Sequence, residues 1–188
     1  MNRLSPTLAL SLLALCALLS LFAAISVGSS ALKPLEVWRS LADPDSLARR
    51  LVFDLRLPRA LTAFTTGATL AVAGVLMQVL LRNPLADPYI LGVSGGASIG
   101  AIGAMLLSLT GLWIDAGALL RALGATLLVF GLAHGGGGWT PVRLLLTGVV
   151  VAAGCGAMVS LMLALGPEGK LRGMVFWLMG DLSIGASP

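Results

Sequence analysis

Two prolines, Pro84 and Pro88, stand in a short polar stretch between two long apolar segments, in the string Arg82-Asn83-Pro84-Leu85-Ala86-Asp87-Pro88-Tyr89-Ile90-Leu91-Gly92. Proline has no N–H and biases the residue before it towards extended geometry, so no continuous helix can cross this stretch. The flanking segments are apolar enough for lipid, where an unsatisfied backbone group is costly. Backbone freed at the proline turn must therefore be buried in protein or line a water-filled path. Of 188 residues, 57% are hydrophobic and 11% charged, whereas a soluble domain has about 25% charged residues. The sequence thus describes an all-α, polytopic transmembrane helical bundle, a single membrane domain over residues 1–188. A net charge of +4 would suggest nucleic acid in a soluble chain. Here the basic residues are spread over membrane loops, so lipid or an acidic protein partner is expected and nucleic acid is not.

A spanning helix needs about 20 mostly apolar residues. Five segments are expected to span: 7–27, 60–81, 91–109, 119–133 and 142–165, the fourth of them short. A cleaved signal peptide is the alternative for the first, with Arg3 as its basic start and small residues at 26–31 as the cleavage site. Its apolar run is longer than a usual signal core, which favours the span. A lipid-modified cysteine at Cys16 is excluded because Leu15, not a small residue, precedes it. Cys16 and Cys155 lie in apolar runs with no metal-binding or redox spacing and read as small apolar side chains. Residues 33–55 mix charges with recurring apolar positions and read as helix lying at an interface, broken around Asp43-Pro44-Asp45. A second interfacial half-helix is expected at 171–181, too short to span. The glycine run 135–138 reads as a flexible loop. The sequence stops at Pro188 within an element and looks like the front part of a longer protein.

Small residues recur along three of the spans: Gly67 and Gly74 in the second, Gly92, Gly96 and Gly100 in the third, Gly148 in the fifth. In lipid there is no hydrophobic drive between helices, and small residues let backbones approach. These six glycines are the expected helix-packing positions, with generic membrane packing as the plainer account of any one of them.

Catalytic chemistry has little material here. Gly169-Lys170 imitates a phosphate loop, but Ala164 and Leu171 occupy the positions of its first glycine and its hydroxyl residue. His134 is the only histidine, and it stands in a glycine loop far in sequence from any carboxylate, so neither a zinc centre nor a Ser-His-Asp centre is expected. No cofactor is expected. No charge falls at the centre of an expected span, which removes the usual sign of a proton-driven carrier and leaves energy coupling to another subunit.

Four strings carry a resemblance to a known family: Arg56-Leu57-Pro58-Arg59-Ala60-Leu61, Gly67 through Gln78, Asn83 through Pro88, and Leu91-Gly92-Val93-Ser94-Gly95-Gly96-Ala97. Leu144 through Gly148 and Trp177-Leu178-Met179-Gly180 add to it. In these the chain resembles the FecCD family, permease subunits of type II ABC importers for iron-siderophores, haem and vitamin B12.

The resemblance implies a bacterial inner-membrane permease of about ten spans, of which about five are present, working as a homodimer by alternating access. It implies two separate ATPase subunits, so the chain itself would be no enzyme, and a substrate-binding protein on the outer face. Arg56 and Arg59 would dock that binding protein; anchoring the helix at the headgroups is the simpler alternative. Asn83 and Leu85 would gate the inner end of the pathway; a cap on the following turn is the alternative for Asn83. The implied orientation puts 28–59 outside, yet that loop holds six of the 12 Lys and Arg residues, and the positive-inside rule favours the reverse. Rival readings are a small secondary carrier or channel, which would need intramembrane charge, and a non-transporting scaffold subunit.

Overall fold

The computed structural model describes residues 5–27, 46–134, 138–180 and 182, and every regular element among them is helical. The chain divides into two units, Met1–Thr69 with Leu182–Pro188, and Leu70–Asp181.

In the first unit, α1 is Pro6–Ser26. Ser5 caps it, its side chain accepting from Leu8 N, and Pro6 fills the first turn, where no N–H is needed. This helix is apolar on all faces and has no buried residue, which suits a span in lipid. Ser46 starts the single-turn α2, Leu47–Arg50, its side chain accepting from Arg49 N at 3.2 Å. The helix widens into π geometry over Leu51–Arg56 and returns to α geometry in α3, Leu57–Leu81, where Leu57 N still bonds Val52 O. Pro58 explains the widening, because its ring would clash with the carbonyl four residues back in an α-helix. Residues 47–81 are thus one continuous apolar helix of 35 residues, whereas the sequence suggests an interfacial segment to 55 and a separate span from 60. The remainder of the 33–55 segment, the break at Asp43-Pro44-Asp45 and most of the candidate cleavage site lie outside the described residues, as does the loop at 135–137.

The second unit begins within α3 and continues through a 3-10 turn, Pro88–Leu91, α4, Val93–Leu106, α5, Leu112–Ala133, α6, Pro141–Leu165, and α7, Glu168–Leu178. Among the described residues, α1, residues 47–81, α5 and α6 are four helices long and apolar enough to cross a membrane. α4 is apolar but has only 14 residues, about 21 Å of rise, so it is shorter than the 91–109 segment suggests. α5 differs the other way. It starts at Leu112 rather than 119, with Asp115 in its first turn and Arg121 near its middle. Asp115 interrupts the apolar run, and hydropathy alone starts the span after it, which leaves Arg121 close to the expected start. The statement that no charge lies at the centre of a span therefore fails at Arg121.

α4 is wedged between its neighbours and packs most closely on α5. Its buried face carries Gly96, Gly100 and Ala104, one helical turn apart. A methyl group on Gly100 would run into the Gly117 carbonyl, and one on Gly96 would lie 2.6 Å from Arg121 O and 2.7 Å from Ala125 Cβ. Backbone-to-backbone approach of this kind substitutes for hydrophobic drive inside lipid. Large exposed side chains such as Leu127, Leu161 and Val150 point away from these contacts, as expected where the solvent is hydrocarbon.

Candidate functional site

The proline turn is built almost entirely by its own polar groups. α3 ends with Arg82 in the left-handed region (φ 49), and Asn83 N reaches back to Gln78 O at 3.1 Å, the hydrogen bond of a Schellman ending. Asn83 Oδ1 accepts from Leu85 N at 3.0 Å, and Ala86 N donates to Asn83 O at 3.1 Å, closing a tight turn. Asp87 is extended, as a residue before proline should be, and its Oδ1 accepts from Tyr89 N at 2.8 Å to cap the 3-10 turn. Gly92 (φ 72) then turns the chain into α4; a side chain there would be strained and would crowd Val151.

Two apolar pegs hold the turn in place. Ala86 and Leu91 join Met77, Leu81, Val129, Ala133 and Leu144 in one buried cluster drawn from the end of α3, the end of α5 and the start of α6. Gly148 of α6 lets the Ile90 carbonyl come close enough that no methyl would fit between them. Trp139 closes this end, donating Nε1–H to Phe130 O at 2.9 Å and packing edge-on against Phe130 and His134. On this platform Asn83 is exposed and Leu85 stands out, 86% accessible. The result is a rigid, hydrogen-bonded turn presenting one bare leucine.

The two arginines of the first unit differ from each other. Arg56 is half-buried, and its Nη1 donates to Ile25 O at 3.0 Å and Ser26 O at 3.1 Å, where α1 ends with unpaired carbonyls. A guanidinium at a helix C-terminus also meets the negative end of its dipole. Arg59 is exposed.

Among the six glycines, Gly92, Gly96, Gly100 and Gly148 lie at close approaches, while Gly67 and Gly74 have no atom within 4 Å of where a methyl would sit. Gly95, which the motif strings contain but the packing set does not, sits against Cys155 of α6.

Two cations are placed in ways that sequence spacing does not reveal. Arg121 lines a cleft of about 430 Å³ with Ile99, Gly103, Leu107, Trp113, Leu120 and Met162, and is the one charged side chain among the residues lining it. Lys170 reaches from α7 to the far end of α4, a contact across more than 60 positions of sequence. The sole hint in the sequence is a lysine beside a glycine-rich turn, which reads first as a failed phosphate loop.

The family model described as the FecCD transport family matches residues 13–187. The vitamin B12 import system permease of Yersinia enterocolitica is 38% identical over 169 residues, which is 88% of this chain and 48% of that protein. The hemin transport system permease of Yersinia pestis is 34% identical, covering 96% and 55%. The achromobactin transport system permease of Dickeya dadantii is 38% identical, covering 92% and 50%. A solved metal-chelate type ABC transporter in an inward-facing conformation superposes with TM-score 0.73 at 30% identity, over 92% of this chain and 51% of that one. The chain spans about half the length of the curated relatives it matches.

Proposed function

The chain belongs to the FecCD transport family, and from that premise we propose that it supplies the N-terminal part of an ABC-importer permease for an iron chelate, haem or vitamin B12. It would lie in the bacterial inner membrane, pair with a second copy, and work with two ATPase subunits and a substrate-binding protein. The observation that carries this reading is the proline turn, a backbone break pinned by its own hydrogen bonds and by Ala86 and Leu91, with Leu85 bare at its tip. A rigid turn bearing one apolar plug suits a gate that two copies close across a shared axis and that ATP-driven movement parts. Asn83 would shape the plug and Leu85 would seal it. Binding-protein docking falls first to Arg59, which is exposed; Arg56 takes part only if its guanidinium leaves the carbonyls of α1. No chemical step is assigned to the chain.

Uptake tests the reading directly. In a strain deleted for the gene, labelled siderophore, haem and B12 uptake are measured with wild-type, Leu85→Asp and Arg59→Glu permeases. Loss of uptake for one cargo, restored by the wild type and not by Leu85→Asp, is the expected result. Undiminished uptake of all three in the deletion strain sinks it. A secondary carrier is the second reading, and Arg121 in the middle of α5 is what favours it. A carrier would lose transport to a proton uncoupler and keep it when the ATPase gene is deleted.

A further inference from the structure

α4 ends with more carbonyls than its own chain can satisfy. Ser108 takes the left-handed position (φ 60) that glycine usually fills; Leu109 N bonds Ala104 O at 2.9 Å and Ser108 N bonds Met105 O at 3.0 Å. Lys170 adds donors from another helix, at Leu106 O and, beside the Ser108 N bond, at Met105 O. Its Nζ donates to Met105 O at 3.0 Å, Leu106 O at 2.9 Å and Ser108 Oγ at 2.6 Å, using all three of its N–H bonds. The ammonium also sits, half-buried, at the negative end of the α4 dipole, which attracts it. One turn further along α7, Met174 is fully buried, so one face of α7 carries both the cation and an apolar anchor. α7 reaches this position directly after the reversal at Gly166-Pro167.

From this geometry we infer that Lys170 is a positioning residue that fastens α7 to the far end of α4, so that the two helices move as one piece. The proline turn occupies the other end of α4. Under the permease reading, on which this consequence rests, a displacement of α7 is carried along α4 to the gate.

Amide hydrogen exchange of the chain in phosphatidylcholine nanodiscs tests the fastening without reference to transport. Lys170→Met keeps the stem and removes the charge. It should speed exchange about tenfold or more both at residues 106–109 and along α7, while residues 89–92 at the proline turn stay as in the wild type. Lys170→Arg should restore protection. Ser108→Ala should cause a smaller loss that vanishes in the Lys170→Met background, since its hydroxyl acts through the ammonium. Unchanged exchange in Lys170→Met, failure of Lys170→Arg to restore it, or a Ser108→Ala effect that persists without the ammonium overturns the proposal. If Lys170→Met does not fold, Ser108→Ala must still loosen α7, a helix it does not belong to; no change there also overturns it. Uptake by the full-length permease is a separate arm. Loosened exchange with undiminished uptake removes the transport consequence and leaves the fastening standing.

Discussion

The two ends of α4 are closed by opposite means. At the proline turn every cap comes from within a few residues: Asn83 serves Leu85, Asp87 serves Tyr89, and Gly92 makes the turn. At the far end the decisive donor, Lys170, comes from another helix. A locally capped end keeps its hydrogen bonds whatever its neighbours do, although Ala86 and Leu91 seat this one against α5 and α6. An end closed from a distance keeps its shape only while the second element stays docked. The same helix thus has one terminus whose hydrogen bonds are all local and one whose hydrogen bonds depend on a second helix. α1 resembles the second case, since its last carbonyls are held by Arg56 from a later helix.

The severest way to break the comparison is to remove the rod between the two ends. Gly100 faces the Gly117 carbonyl with no room for a methyl, so Gly100→Leu must push α4 off α5. Overpacking costs about 1–3 kcal/mol, and a leucine against a backbone carbonyl belongs at or above the top of that range; both ends of α4 should lose protection together. Thermal melts of detergent-solubilised protein followed by size exclusion would register a collapse of the folded peak. A mild effect would mean that the crossing is loose, and that the ends are not mechanically joined.

Lys170→Met comes next, at about 2 kcal/mol for charge-assisted hydrogen bonds to Leu106 O and to Met105 O, which Ser108 N also serves. Its signature is asymmetry: the far end loosens and the proline turn does not. Asp87→Ala is the mirror experiment. Loss of that cap costs about 1 kcal/mol, and faster exchange should stay within residues 88–92. Should Asp87→Ala also loosen the α7 contact, the two ends are coupled through α4 more tightly than local capping implies.

The difference between the ends also explains what the sequence discloses. The turn is legible because its chemistry is local: Pro84, Pro88, Asn83, Asp87 and Gly92 state their roles within a dozen residues. The apolar helices are legible by length and composition, and the small residues of α4 by their spacing at every fourth position. Helix ends are less so. Asp115 hides the first two turns of α5 from a hydropathy reading, because a charged start to a span looks like a loop. The Lys170 contact is invisible for a deeper reason. No periodicity links α7 to the end of α4, and only the folded backbone shows which carbonyls lack donors. Arg56 teaches the same lesson, since its family string suggests an outward docking role while its side chain is turned onto the end of α1.

The smallest effect expected is at the two glycines with open space, and it sharpens the comparison by its sign. Gly67 and Gly74 lie inside α3 with nothing within 4 Å of an added methyl. Alanine there should favour the helix by about 0.5–1 kcal/mol through reduced freedom of the unfolded chain. Gly100→Ala, by contrast, should destabilise, because its methyl meets a carbonyl. Melts of the two classes of variant, made side by side on this chain alone, should therefore move in opposite directions. In an assembly of the kind proposed above, the Gly74→Ala gain should persist only where no second surface closes on α3. If the gain turns into a loss there, the open face of α3 is where another helix packs, and the small residue serves that contact.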